Sequence, residues 1–454
     1  MTELPTLPQP EAVVPEAAPA TRSQRIRDFL ESARSSAFLR NVIETYATQI
    51  SLVGISLVTT VAVTRALRPE GRGLYAVAIT VGTLGVQFGN FGLPASNTYY
   101  LSRDRSLLPR LLGNSLLISA VVGGLGSLIA WFLFAAYPGL APVHGTLLKL
   151  GLAWVPIGLC FLLLQRLNLG LYEVRAYNKV EVINRCCALV LIGAVILSRR
   201  ISPEMVITAN LLALSFGCFW ALRNMRPYLS EVPRLSWTLL KEHLGLGVKA
   251  YVITALSFLH MRIALLMVKY MLGSQPAGYY SVATSLGDYV LMLPSVIALI
   301  LFPKLSSVAS APEKLRQAKK AVLGTALALV PLLLAAVIFV KPAVRILFGH
   351  AFMPATDAFI WLAPGIFMLG VEVASVQFLN AMGYPKVLIG VWISTLLFDV
   401  LGNLWAIPHF GIRGAAVATA ISNTVALLGV LLVIRLRYDV SSASEPIQAI
   451  PESS

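Results

Sequence analysis

The chain has 454 residues, of which 57% are hydrophobic and 13% charged, with a mean hydropathy of +0.76 and a formal net charge of +15. A water-soluble domain carries roughly 25% charged residues, so this chain has too little polar surface to cover itself in water. That excludes a soluble globular protein and makes lipid the main solvent.

In chain order, residues 1–21 (MTELPTLPQPEAVVPEAAPAT) are rich in Pro, Glu and Ala and have no apolar core. They predict a disordered tail rather than a signal peptide. In the following stretch, 22–40, Ile26, Phe29, Leu30, Ala33, Ala37 and Phe38 share one helical face and Arg fills the other, the pattern of a short helix lying on the inner leaflet. Twelve apolar runs then read as membrane-spanning helices, near 43–64, 74–98, 112–136, 148–171, 181–198, 203–222, 244–268, 277–302, 321–340, 357–380, 386–408 and 412–434. Residues 437–454 form a second loose tail.

Lys and Arg are enriched in short cytoplasmic loops. With both ends placed inside, 25 of the 36 Lys and Arg fall in or beside cytoplasmic segments, 10 on the opposite side, and Arg262 lies inside the seventh span. The chain is therefore expected to be a multi-pass protein with both termini cytoplasmic. Topology and anionic lipid headgroups account for the +15 charge, and no nucleic-acid partner is needed. Cys160, Cys186, Cys187 and Cys218 all fall in spans, without zinc-type spacing, and read as packing residues.

One junction is written twice. RALRPEGRGLYAVA at 65–78 and YMLGSQPAGYYSVA at 270–283 match at Leu67/Leu272, Gly73/Gly278, Tyr75/Tyr280, Val77/Val282 and Ala78/Ala283, at a constant offset of 205. Each copy links the first two spans of a six-span half. The prediction is an all-α polytopic membrane protein of two six-helix lobes related by a pseudo-two-fold axis along the membrane normal. The lobes are 41–222 (N-lobe) and 244–436 (C-lobe), joined by a cytoplasmic linker at 223–243. Two such lobes enclose a cleft, the architecture of an alternating-access transporter. Gly85-x-x-x-Gly89 would allow close helix contact.

LGSQPAGYYSVATSLGDYVLMLPSVIALILFPKLS, ILFGHAFMPATDAFIWLAPG, LNAMGYPK and HFGIRGAAVATAISN resemble segments of polysaccharide and oligosaccharide-lipid flippases, over roughly residues 40–435. These belong to the multidrug/oligosaccharidyl-lipid/polysaccharide exporter superfamily. The resemblance implies two bundles splayed as a V around a central cavity. It also implies movement of undecaprenyl-pyrophosphate-linked sugar units from the inner to the outer leaflet of a bacterial cytoplasmic membrane. A polysaccharide polymerase or export complex is the candidate protein partner.

Carrying a pyrophosphate through hydrocarbon demands a wet, cationic cavity, so ionisable residues inside spans are the candidates. Arg262 stands first, ~10 Å deep by its spacing from Lys269, with a fork that matches phosphate. It could instead pair with Asp288 in the next helix, which could also hold a coupling cation. The superfamily often has an acid two positions after this Arg; here Ala264 stands there. His260 lies about 200° round the helix from Arg262, so the two are not expected to point into one cavity. Arg166 and Arg185 sit where a headgroup would enter, although Glu181 can pair with Arg185 at i, i+4. Asp399, Asn403 and Glu372 punctuate the second lobe, and Asn90, Asn97 and Asn114 the first, as interhelical hydrogen-bonding groups.

No nucleophile, metal, cofactor or phosphate-loop pattern is present, so a transporter is expected and not an enzyme. A drug or cation antiporter of the same superfamily would want a carboxylate-lined, less cationic cavity. A membrane glycosyltransferase or polymerase would want a large external loop with catalytic acids, and every external loop here is short.

Overall fold

The computed structural model describes residues 37–439. The expected tails, and the interfacial helix up to residue 36, lie outside the described residues. Everything described is helix or connecting turn, because a backbone in lipid must satisfy its own N–H and C=O groups. The helices are α1 (Ala37–Gly89), α2 (Leu93–Arg103), α3 (Leu108–Ile118), α4 (Gly124–Ala136), α5 (Gly145–Gly170) and α6 (Val174–Leu197). After them come α7 (Pro203–Met225), α8 (Trp237–Leu272), α9 (Ser274–Ser307), α10 (Ala311–Leu347), α11 (Pro354–Ala381) and α12 (Val387–Ile434). A π-helical turn, Ser119–Gly123, joins α3 to α4.

Ten helical stretches are long and apolar enough to cross a membrane. Two of them are divided by a break. Arg68 takes φ 58°, ψ 176° within α1, and Pro69 opens the second stretch, where a missing N–H leaves nothing unsatisfied. Gly411, with φ 61°, divides α12 in the same way after Pro408.

The span expected at 74–98 is interrupted. Asn90 donates from Nδ2 to the Gln87 carbonyl and accepts the Gly92 N–H on Oδ1, both at 2.9 Å. Its side chain competes with the helical ladder, Gly92 turns to φ 79°, and α2 begins afresh at Leu93. At the end of α2, Asp104 caps a single turn by accepting from the Ser106 N–H at 2.9 Å, and the Ser106 hydroxyl together with that N–H holds its carboxyl below the usual range.

The linker expected at 223–243 is helical at both ends, since α7 runs to Met225 and α8 starts at Trp237. What lies between is stapled to α3. The Ser236 N–H donates to Asn114 Oδ1 and Asn114 Nδ2 returns a bond to the Ser236 carbonyl, both at 3.0 Å. Gly113 lets the linker backbone lie against the helix, since a Cβ there would meet the Arg234 carbonyl oxygen at 2.2 Å.

The cores show how the halves meet. Val77, Ala78, Leu147, Leu152 and Ile207 of the first half share one core with Ala264, Val268, Tyr280, Phe352 and Ile407 of the second. All lie toward the ends of helices where the repeated junctions sit. Toward the opposite ends the cores separate. Leu101, Leu108, Leu167 and Met225 cluster in the first half, and Leu301, Leu305, Phe378 and Val430 in the second. The first turns of α8 bridge this end: Leu240 joins a core with Leu93 and Leu163, and the Tyr251 hydroxyl donates to the Phe88 carbonyl at 2.5 Å.

At the shared end the two copies of the junction touch. A Cβ on Gly73 would lie 1.8 Å from the Ser274 carbonyl oxygen, and one on Gly278 would lie 1.9 Å from that of Pro69. Only glycine permits this approach. Around it, Arg65 donates from Nε to the Leu347 carbonyl at 2.7 Å and from Nη2 to that of Ile346, capping the last turn of α10. The Tyr270 hydroxyl likewise donates to the Leu140 carbonyl. Gly85 and Gly89 serve a different contact, with α1 closing on Val155 and Leu159 of α5.

The junction can be tested directly. Gly73→Ala forces backbone from backbone and should lower the thermal midpoint in lipid nanodiscs. Gly54→Ala, where nothing lies within 4 Å, should hold or raise it by the ordinary helix preference of roughly 0.5–1 kcal/mol.

Candidate functional site

The structure draws Arg262, Asp288 and His260 around one small cavity of about 50 Å³, between α8, α9, α11 and α12, with Tyr280, Thr284, Thr419 and Asn423. That volume accommodates one or two waters. Arg262 and His260, not expected to point into one cavity, both line its wall, Arg262 near Asp288 and His260 bonded to Asn423.

Arg262 and Asp288 form a loose pair. Nη1 stands 3.9 Å from Oδ2, and the side chains are 32% and 46% exposed. The Phe258 ring centroid lies 5.5 Å from the guanidinium carbon. At that distance and exposure most of the five donors on Arg262 remain uncommitted, so the group can take a second anion without leaving its rotamer.

His260 is different in kind. It is 1% exposed and its Nε2 lies 2.8 Å from Asn423 Oδ1. The amide is oriented by its own Nδ2, which donates to the Gly365 carbonyl at 3.1 Å, so Oδ1 accepts and His260 Nε2 carries the proton. Nδ1 lies 3.2 Å from Asp399 Oδ2, out of line for a hydrogen bond. Asp399 is fully buried; its Oδ1 accepts from Asn403 Nδ2 at 2.9 Å and lies 3.4 Å from the hydroxyls of Thr419 and Ser422. Glu372, on α11, is 2% exposed and its Oε1 has no hydrogen-bond partner. Sequence reading singled out Asp399, Asn403 and Glu372 one by one. The clue to a cluster was the i, i+4 spacing of Asp399 with Asn403 and of Thr419 with Asn423, which puts each pair on one helix face.

Arg166 and Arg185 lie in the first half, away from that cavity. Arg185 Nε bonds Glu181 Oε1 at 2.9 Å as its spacing predicted, and Gln165 Nε2 bonds the other carboxylate oxygen at 2.9 Å. Arg166, on α5, keeps a buried Nε without a partner. The four cysteines carry no disulfide.

The buried cluster should behave as a unit. Asp399→Ala strands the His260 ring and the Asn403 amide and should lower stability by about 3 kcal/mol. Adding His260→Ala should restore part of that loss, read by reversible unfolding in detergent as a double-mutant cycle.

Residues 62–357 match a family model described as "Polysaccharide biosynthesis protein". No curated protein sequence matches the chain. Among solved structures, the lipid II flippase MurJ in an inward closed conformation is similar with a TM-score of 0.68 at 14% identity, covering 87% of both chains. An inward-facing multidrug resistance MATE family transporter of the MOP superfamily aligns with a TM-score of 0.66 at 13% identity, over 86% of this chain and 96% of that one. A mutant of the Vibrio cholerae MATE transporter VcmN aligns with a TM-score of 0.60 at 15% identity, over 88% of this chain and 94% of that one. The fold is thus the one shared by MurJ and the MATE transporters, and the family match covers well over half of the sequence: the chain belongs to the polysaccharide biosynthesis protein family.

Proposed function

We propose that the protein is an alternating-access flippase that moves undecaprenyl-pyrophosphate-linked oligosaccharide from the inner to the outer leaflet of a bacterial cytoplasmic membrane. The observation that carries this reading is Arg262, a cation deep in a span, one-third exposed and only loosely held by Asp288 at 3.9 Å. An intramembrane cation left with spare donors suits a pyrophosphate headgroup, while the lipid tail stays in the bilayer. The family match to polysaccharide biosynthesis supports the sugar-linked cargo, and the likeness to MurJ supports a lipid-linked one.

With the two broken helices α1 and α12 each crossing twice, the chain makes twelve crossings and both termini are cytoplasmic. The separate cores then lie toward the cytoplasm and the Gly73–Gly278 contact toward the outside. The cleft faces the side on which lipid-linked sugars are assembled. Arg166 and Arg185 line the approach, and His260 braces the second lobe through Asp399 and Asn423. A polymerase or export complex would take the product on the outer face.

A second reading, a cation antiporter, draws on Asp288, whose carboxylate is more exposed than Arg262. Substitution separates the two. The loose pair is worth at most ~1 kcal/mol, so Arg262→Ala should leave a folded protein that no longer flips fluorescent lipid-linked oligosaccharide in proteoliposomes. Lys keeps the charge without the planar fork and should restore only part of the activity. Recovery of flipping in Arg262→Ala with Asp288→Ala would reduce Arg262 to a counter-ion. Loss with Asp288→Asn alone, Arg262→Ala being active, would favour the antiporter.

Orientation has its own test. A cysteine at Ser307, exposed at the end of α9, should resist impermeant thiol reagents in intact cells and react once the membrane is opened. Strong labelling from outside overturns the topology.

A further inference from the structure

Arg72 was no part of the expected site, and its surroundings are unusual. It lies just before Gly73, is 8% exposed, and its Nε is buried without a hydrogen-bond partner. Nη2 reaches Ser285 Oγ on α9 at a long 3.3 Å, and the guanidinium carbon stands 5.4 Å from the Tyr75 ring centroid. Among the described residues no carboxylate lies within 4.0 Å of it, whereas Arg185, Arg262 and Arg413 each have one. A guanidinium does not shed its proton, so this is a buried cation that the fold leaves uncompensated.

Its position says what could compensate it. Ser285 and Asp288 are three residues apart on α9 and share a face. Arg72 therefore sits against α9 ~4.5 Å farther along than Asp288, toward the glycine seal. That face of α9 meets Arg262 through Asp288 and then Arg72 through Ser285, with Gly73 and Gly278 closing the path beyond. Arg72 belongs to the first half and Ser285 to the second. If the halves part at the seal, Arg72 loses its hydrogen bond to Ser285 and its donor edges become free to take another partner.

We propose that Arg72 is a second cationic ligand for the phosphate of the cargo, taking it over from Arg262 when the halves separate at the Gly73–Gly278 seal. This rests on the flippase reading above. It makes the transfer a short step along one face of α9, from the Asp288 position to the Ser285 position, so that the anion keeps a cationic partner as the outer end opens. Each guanidinium offers the paired N–H edge that phosphate oxygens fit.

The alternative is a latch that merely holds the seal shut, and the Ser285 contact separates the two. Flipping is followed with a fluorescent prenyl-pyrophosphate sugar in proteoliposomes. Arg72→Gln is expected to lower the rate about tenfold or more, whereas Ser285→Ala, which breaks the same contact from the other side, lowers it by no more than about twofold. Arg72→Lys should recover part of the rate. Equal losses in Arg72→Gln and Ser285→Ala would show a latch, and a rate within about twofold of wild type in Arg72→Gln would show no role; either overturns the proposal.

Binding gives a second, independent arm. Gly73→Leu cannot close the seal, because its Cβ would meet the Ser274 carbonyl, and Gly278→Leu meets that of Pro69 in the same way. Inorganic pyrophosphate titrated into either variant in nanodiscs should bind about tenfold more weakly once Arg72→Gln is added. No difference overturns the proposal. If the wild type flips no prenyl-pyrophosphate sugar at all, the flippase reading falls, and the pyrophosphate titration alone still decides whether Arg72 is an anion site.

Discussion

Among the described glycines the tightest approaches are at Gly73 and Gly278. Gly73 and Gly278 bring α1 and α9 so near that a single added carbon would overlap a carbonyl oxygen. In lipid the hydrophobic effect does not press helices together, and close van der Waals contact between small residues takes its place. The contact also determines where the halves share a core and where they do not. One end is pinned by backbone against backbone, while toward the other each half keeps a core of its own, bridged by α8. Such a backbone contact is closed or open and has little in between.

Charge inside the protein is distributed in three ways with three physical consequences. Arg185 with Glu181 is an ordinary i, i+4 pair, satisfied within one helix. Asp399, His260, Asn423 and Asn403 form a buried network across α8 and α12 that ties the second half together, and Glu372 lies near it with an unspent oxygen. Arg262 and Arg72 are neither. One is loosely paired and the other unpaired, and both lie along the same face of α9. Neither guanidinium is neutralised by a close carboxylate, so both keep donors that an anion of the cargo proposed above could take.

The cavity between Arg262 and His260 couples two of these groups. Water there would touch a partly exposed cation and a buried histidine. The Asn423 amide, itself held by the Gly365 carbonyl, fixes the His260 ring in one orientation and ties α8 to α11 and α12.

Much of this was legible in the residues. Apolar length and the scarcity of charge determined that the chain is helical and membrane-embedded, since lipid leaves the backbone no other partners. The spans along most of the chain and the pairing of Arg185 with Glu181 followed from spacing alone. The repeated Gly-x-Tyr-x-Val-Ala was visible in the sequence, but that its two copies touch, 205 residues apart, was not. What tertiary structure decided were contacts between residues far apart in the chain. Asn90 ended its helix, which apolar content hid; Asn114 stapled the linker 122 residues away. His260 turned toward Asn423, 163 residues on. Arg72 read as one more basic residue in a loop until α9 was placed beside it, 213 residues later at Ser285. Composition shows that a cation is present; only packing shows whether it has been given a partner.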